Sequence, residues 1–357
     1  MSKSGSVRVG VNGYGVIGKR VADAVALQPD MVLAGVADVA SDWRMRVAAG
    51  KGFHVFAASD DAAKAMSANA IPVAGGLQDL LATADVVVDC TPKNVAAANI
   101  VAYGAAGLKF VVQGGEKHKV TGHSFVAESS YEGARGRAST RVVSCNTTSV
   151  VRTLTALKRA GLLKAARGTL LRRATDPWES HETGIMNTLV PETTIPSHQG
   201  PDAQSVDPEL DVVTMAVKVP ETLAHLHYWN VRLTRACSTD DVLDAFRTSS
   251  RIALIRGDNG LAALNSIKEC MLDTGRPRGD LYEVALWEDM VRVQDDELFY
   301  AYMVDNQAIV IPETIDAIRA ICGIEADAAK SIASTNAALG IGSEHSWTVS
   351  GRRTRQQ

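Results

Sequence analysis

The sequence predicts an α/β protein of two domains, a doubly wound parallel sheet first and then an α+β region with a largely antiparallel sheet. Three observations carry this. The strand-like run VRVGVN leads directly into the glycine pattern GYGVIG and then into helical periodicity, the strand–turn–helix order of a nucleotide-binding unit. Apolar runs and helix-periodic segments then alternate to about residue 144, as in a parallel sheet with crossover helices. After one further helix the segments become β-prone and partly alternating, as antiparallel strands with one covered face do. At 357 residues the chain can fill two such cores.

Composition narrows the function. With 46% apolar and 22% charged residues the chain reads as globular, and Lys+Arg 37 against Asp+Glu 40 leaves a net charge of -3. That balance gives no support to binding nucleic acid or an anionic membrane. No apolar run is long enough to span a bilayer, and the N-terminus lacks a secretory core. Cys90, Cys145, Cys237, Cys270 and Cys322 are widely spaced, odd in number and without CxxC. A disulfide framework or metal site is therefore not expected, and a reducing, cytoplasmic setting is.

Taken in order, residues 7–12 read as a buried strand followed by Gly13, Gly15 and Gly18. These glycines permit a tight turn, close approach of a pyrophosphate and close helix–strand packing. With Asn12, Val16 and Ile17 they are candidate cofactor contacts, on a helix N-terminus suited to anions. The next strand, 31–36, leads to Asp38, placed to accept ribose hydroxyls and repel the extra phosphate of NADP. The alternative is an Asp capping a turn. NAD is expected over NADP, although Arg44 and Arg46 lie close by. Residues 84–90 form a near-continuous apolar strand that Thr91-Pro92 ends, 95–106 a helix, and 109–113 a strand running into GGEKH. Thr91, Gln113 and Gly114 thereby join the candidates at the carboxyl edge of the sheet. Residues 129–138 read as a polar loop, and 139–143 as a strand entering SCNTT.

Cys145 falls where that strand becomes a helix, with Thr147 and Thr148 as candidate caps. A helix N-terminus lowers a thiol pKa toward a reactive thiolate. On spacing alone, an inert buried cysteine is the better reading.

In the second domain, residues 169–173, 211–219, 227–236, 284–293 and 298–304 read as strands. Residues 238–248, opened by a capping-box-like STDD, and 260–273 read as helices. Residues 177–208 form a long loop, a length that commonly marks function. Helices at 312–322 and 326–339 precede a polar, basic tail. Arg172 and Arg173 at a strand end offer guanidinium forks for phosphate; a solvated strand end is the plainer reading. His181, His198, His225 and His227 are candidate bases. The pair at 225 and 227 shares one strand face, and the expectation is that one acts as acid/base while the other is structural.

The motifs VNGYGVIGKRVADAV, QGGEKH, RVVSCNTT, RRATDP, IPSHQGPD, TMAVKVPETLAHLH and KSIASTNAALGI occur in this order. In order and spacing the chain resembles the archaeal-type (type II) glyceraldehyde-3-phosphate dehydrogenases from about residue 7 to 342. The resemblance implies a Rossmann domain of residues 1–144 with 307–342, a catalytic domain of 145–306 and a tail of 343–357. It implies Cys145 as the nucleophile and His225 as the catalytic histidine, which takes the hydroxyl proton as hydride leaves. Ser144, Asn146, Thr147, Arg172, Arg173, His198 and Gln199 are then substrate- or phosphate-binding residues, and Asn306 a cofactor contact. The implied reactants are a phosphorylated aldehyde, inorganic phosphate and NAD(P), and the implied assembly is a homotetramer. Departures from the family pattern are Asp38-Val39-Ala40 after the second strand, Ala174-Thr175 in RRATDP, Gln199 for a frequent second His, Ser149 for Gly, and Asp305-Asn306-Gln307-Ala308. They bear on the substrate more than on the reaction type. A thiol-dependent dehydrogenase of a phosphonate or semialdehyde, and a non-catalytic dinucleotide-binding redox sensor, are the alternatives. Dihydrodipicolinate reductase and homoserine dehydrogenase share a VNGYG-like start but need no SCNTT.

Overall fold

The computed structural model describes residues 5–113 and 115–342. The tail at 343–357 and the candidate Gly114 lie outside these residues. The chain divides into two units, one built on the stretch up to Ser144 with Val310–Gly340, the other on Cys145–Ile309. No helix among the described residues is long and apolar enough to cross a membrane.

The first unit holds an eight-stranded, all-parallel sheet: β1 (Val7–Asn12), β2 (Met31–Asp38), β3 (Val55–Ala57), β4 (Gly75–Gly76), β5 (Val86–Asp89), β6 (Lys109–Val112), β7 (Ser124–Phe125) and β8 (Ser139–Val142). The order is β4-β3-β2-β1-β5-β6-β8-β7, so the strand sequence reverses direction between β1 and β5. Ligands of open α/β sheets collect at the carboxyl ends beside such a reversal. Val9, Val11, Val87, Val88 and Val111 have no solvent exposure. Each contributes roughly 1.5–3 kcal/mol of burial, which is why the apolar run in β5 does not alternate.

Two C-terminal helices, Val310–Cys322 and Ala328–Leu339, complete this unit. The first is buried along nearly its whole length. Its Arg319 is 1% exposed and donates to Asp30 Oδ1 and Oδ2 at 2.9 and 2.7 Å and to Gln28 Oε1 at 2.8 Å. Glu313 Oε2 accepts the Ala127 N–H at 2.5 Å. That bond begins the helix Ala127–Ala134, kinked at Ser130, where the sequence reading expected a loop. Its buried Ala127, Tyr131 and Ala134 follow helical spacing, masked by the serines and glycine between them.

The second unit holds a mixed sheet: β9 (Leu163–Arg173), β10 (Val190–Pro191), β11 (Val212–Val219), β12 (His225–Leu233), β13 (Ile252–Ile255), β14 (Val284–Trp287), β15 (Arg292–Gln294) and β16 (Glu297–Val304). The order is β10-β11-β9-β12-β16-β14-β13, with β15 on β16. Pairing is antiparallel except between β9 and β11 and between β13 and β14.

Three expectations need correction, and one strand, β13, went unread. The strand expected at 284–293 is broken by a 3-10 turn, Glu288–Met290, which shifts the register along β16 between Leu286↔Tyr302 and Arg292↔Phe299 without changing the chain's direction. The four apolar residues of β13 were too short a run to separate from a helix segment. The strand expected at 227–236 starts two residues earlier, since β16 pairs with β12 from His225↔Val304 to Arg232↔Glu297. The long loop at 177–208 contains the short helices Ser180–Thr183 and Gln199–Gln204 as well as β10. Helix Thr239–Arg247 starts from the expected box: Ser238 Oγ accepts the Asp241 N–H at 3.1 Å and Asp241 Oδ2 accepts the Ser238 N–H at 2.8 Å.

Candidate active site

In the first unit, the turn after β1 passes against the end of β5. Gly13 has φ +92°, and a Cβ there would lie 2.7 Å from the Cys90 carbonyl carbon. A Cβ on Gly18 would lie 1.8 Å from Gly13 O; only glycine closes this turn. A Cβ on Gly15 would meet no protein atom within 4 Å. Gly15 also N-caps helix Val16–Ala26 with no side-chain acceptor for the first-turn N–H groups. An open cradle facing such groups fits a pyrophosphate. Val16 and Ile17 begin the helix and are half-buried.

Asp38 braces this turn, its carboxylate accepting the Tyr14 N–H at 2.5 Å and the Ala40 N–H at 2.8 Å. Both proposed roles coexist, because each carboxylate oxygen keeps a further lone pair. Asn12 and Thr91 are turned inward. Asn12 Nδ2 donates to Tyr103 OH at 2.8 Å and Tyr103 OH to Asp89 Oδ2 at 2.7 Å, while Thr91 Oγ1 donates to Asp89 Oδ1 at 2.5 Å. Buried Asp89 thus ties the ends of β1 and β5 together. Gln113 Nε2 donates to Thr314 Oγ1 at 3.1 Å, and its Oε1 is buried without a partner.

In the second unit, helix Cys145–Arg159 begins at the cysteine itself. Thr147 and Thr148 therefore lie inside the first turn and are not caps; both are fully buried. Arg152, also fully buried, fixes the helix by donating to Tyr282 O at 2.8 Å and Ile309 O at 3.1 Å. Thr147 Oγ1 donates to Asp202 Oδ2 at 2.8 Å, which joins SCNTT to the PSHQGPD segment. That segment is anchored on β11 through Ser197 Oγ and the Gly200 N–H, 2.8 and 2.9 Å from Thr214 Oγ1.

Cys145 Sγ lies 3.5 Å from His225 Nε2. The other ring nitrogen, Nδ1, accepts the Arg173 backbone N–H at 3.0 Å. This follows from the antiparallel pairing of β12 with β9, which sets the start of one strand beside the end of the other. A nitrogen that accepts an N–H carries a lone pair, so the neutral ring holds its proton on Nε2, facing sulfur. Burial, then the charges near His227, Arg173 and Arg172, hold His225 well below the ordinary histidine value. The ring is therefore a neutral donor toward Cys145.

Burial pushes the Cys145 thiol up, to about 11, against the pull of Arg173, the Asn146 N–H and Arg172. The helix N-terminus and the Nε2–H of His225 act in the same direction as the arginines, favouring thiolate. Cys145 as a residue is half-buried.

His227 has the structural part. Its Nε2 is 2.8 Å from Asn146 Oδ1 and its Nδ1 is 2.9 Å from Tyr302 OH. Full burial lowers its pKa to about 3. It orients Asn146, the residue after the nucleophile.

Arg172 and Arg173 end β9. Arg173 Nη2 pairs with Asp176 Oδ1 at 3.0 Å, and Asp176 Oδ1 also accepts from Gln307 Nε2 at 2.8 Å. Arg172 Nη1 pairs with Glu192 Oε2 at 3.2 Å, and Glu192 Oε1 is 3.0 Å from His198 Nδ1. The Nε of both arginines is buried without a partner, as are Gln199 Nε2 and both amide atoms of Asn306. A buried donor left open costs roughly 1–3 kcal/mol. Asp305 pins the turn bearing Asn306: it pairs with Lys268 at 2.8 Å and accepts the Gln307 N–H at 2.9 Å. His181 is exposed, on the short helix Ser180–Thr183. Glu192 and Tyr302 lie in no motif read from the sequence; their places follow from Arg172 and from His227.

Comparison with known proteins agrees with this arrangement. Residues 144–269 match the model of the glyceraldehyde 3-phosphate dehydrogenase C-terminal domain. The chain is 44% identical over 336 residues to a glyceraldehyde-3-phosphate dehydrogenase of Methanococcoides burtonii, covering 94% of this chain and 99% of that protein. It is 42% identical over 335 residues to that of Methanosarcina mazei, covering 94% and 99%. With that of Halobacterium salinarum the identity is 44% over 336 residues, covering 94% and 100%. The chain belongs to the glyceraldehyde-3-phosphate dehydrogenase family.

Proposed function

We propose that the protein oxidises glyceraldehyde 3-phosphate with a nicotinamide dinucleotide and inorganic phosphate to 1,3-bisphosphoglycerate, through a thioester on Cys145. The observation that carries this reading is the Cys145–His225 pair, 3.5 Å apart at a helix N-terminus, in a unit with open buried guanidinium Nε–H groups. The thiol loses its proton to solvent, and the thiolate adds to the aldehyde carbon. The new alkoxide receives the His225 Nε2–H, with backbone N–H groups at the helix start as further donors. The alkoxide electron pair then re-forms the carbonyl as hydride departs, leaving the thioester. An oxygen of inorganic phosphate adds to it, the C–S bond breaks and the thiolate is restored.

When bound, the dinucleotide supplies the hydride acceptor. The glycine turn at 13–18, Asp38, Thr91, Gln113 and Gly114 would hold it, and Asn306 offers a free donor and acceptor to a carboxamide. NAD is preferred, because the Asp38 carboxylate disfavours a 2′-phosphate. Arg172 and Arg173, adjacent on a strand, alternate in direction, which suits the two anions the reaction brings together. Ser144, Asn146, Thr147, His198 and Gln199 complete the substrate site in this reading. Reduction of NAD followed at 340 nm should require both the phosphorylated aldehyde and inorganic phosphate. Equal turnover without phosphate, or a higher kcat/KM with NADP, would refute the respective part.

A homotetramer is proposed as the working form. Met215, Tyr228 and Phe299, at outward positions of β11, β12 and β16, are 48%, 44% and 38% exposed and line one apolar groove with Ile195 and Met290. Contiguous apolar surface of this kind favours burial against another copy. Light scattering at micromolar concentration should give four times the chain mass; a monomer would rule it out. All five cysteines are unpaired, in keeping with a reducing, cytoplasmic location, which cell fractionation checks.

A further inference from the structure

Glu192 is fixed in place before its side chain is considered. It follows β10, and its N–H donates to Ala216 O on β11 at 2.8 Å. From there its carboxylate reaches two of the residues assigned to phosphate: Oε2 to Arg172 Nη1 at 3.2 Å, and Oε1 to the ring Nδ1 and backbone N–H of His198 at 3.0 and 3.2 Å. Desolvation pushes this carboxyl up, but His198 and Arg172 outweigh it and hold it below its ordinary value, so it is an anion at neutral pH.

The ion pair is incomplete in an informative way. A carboxylate that satisfied Arg172 would engage it through two parallel N–H groups at about 2.7–2.9 Å. Glu192 takes a single corner at 3.2 Å and leaves the buried Nε–H of Arg172 without an acceptor. The guanidinium thus retains its best-directed donor for something else, while a fixed negative charge stands at its far side. Both side chains are about a quarter exposed, at 26% and 25%. An incoming phosphate dianion therefore meets a like charge that water screens only in part.

We propose that Glu192 is a specificity-determining residue of the substrate-phosphate site: an internal carboxylate that shares Arg172 and His198, and that the substrate's phosphate displaces on binding. The proposal rests on the reading of Arg172 as a phosphate ligand. Glu192 lowers the affinity of the empty site for small dianions, so that only an anion tethered to the reacting aldehyde competes well for Arg172. Specificity of this form comes from a repulsive element set beside the attractive one.

The test is steady-state kinetics on Glu192→Gln, which keeps the shape and a hydrogen-bonding oxygen but removes the charge. The half-saturating concentration of glyceraldehyde 3-phosphate should fall about tenfold, and inhibition by free sulfate should tighten by a similar factor. The KM for NAD should not change. Unchanged values for substrate and sulfate overturn the proposal. So does a rise in substrate KM, which would make Glu192 a brace for Arg172 and not a competitor. Arg172→Ala, assayed with glyceraldehyde 3-phosphate and unphosphorylated glyceraldehyde, separates the two levels. If it raises KM for the phosphorylated substrate alone, the clamp stands and Glu192→Gln decides the rest. Loss of neither substrate's affinity removes the clamp itself, whatever the Glu192 variant does.

Discussion

Cys145→Ser is expected to abolish turnover, with a loss on the order of 10⁴-fold or more, equivalent to at least about 5.5 kcal/mol of transition-state stabilisation. A hydroxyl in the same place has a far higher pKa, and neither a helix N-terminus nor a single Nε2–H donor brings it into the range of a nucleophile. The glycine turn and Asp38 belong to the first unit and Cys145 to the second, so NAD binding, read by fluorescence titration, should be unchanged. Retained oxidation by this variant would remove the thioester route. Loss of cofactor binding would mean that the substitution damaged the fold and tested nothing about the chemistry.

His225→Ala should lower kcat on the order of 10²–10³-fold, the scale of losing one preorganised oxyanion donor. A second readout distinguishes this from damage. The Cys145 thiol lies high, at about 11, so in the ligand-free protein its alkylation by iodoacetamide should accelerate as pH rises through the neutral range. Removing the Nε2–H removes a partner of the thiolate, which raises that pKa further, and the whole alkylation profile should move to higher pH. A shift to lower pH, or none, would contradict the donor role. Because His225 stays neutral down to well below its ordinary value, its protonation should contribute no loss of activity near pH 6.5. The variant also leaves the Arg173 N–H without its acceptor, so its melting temperature should be recorded beside the kinetics.

Local chemistry made much of this legible in the sequence. The clashes at Gly13 and Gly18 are what the glycine pattern encodes, and the unbroken valines of β5 encode a strand covered on both faces. SCNTT announced a strand-to-helix junction because the apolar period changes there from two to 3.6. What stayed hidden depends on partners far along the chain. The helix at Ala127–Ala134 is started by Glu313, 186 residues away. The tautomer of His225 is set by a backbone N–H across the sheet, which no side-chain pattern reports. Glu192 was one residue of the long loop at 177–208, because its partner Arg172 lies twenty residues away on β9. The two histidines of HLH were symmetric by spacing; the resemblance singled out His225, and the structure sets it beside Cys145 while Tyr302 and Asn146 hold His227.

The burial of Arg319 has a consequence for how the protein is made. Asp30 and Gln28 emerge from the ribosome early, yet their partner arrives almost three hundred residues later. The same holds for the Ala127 N–H and Glu313. The strands and helices of the catalytic unit all fall within Cys145–Ile309, so they can close while synthesis proceeds. The nucleotide unit begins first, and its last two helices arrive after them. Until the final helices dock, its sheet has an uncovered apolar flank and an unpaired carboxylate, and it is in that interval that a nascent chain most needs protection from aggregation.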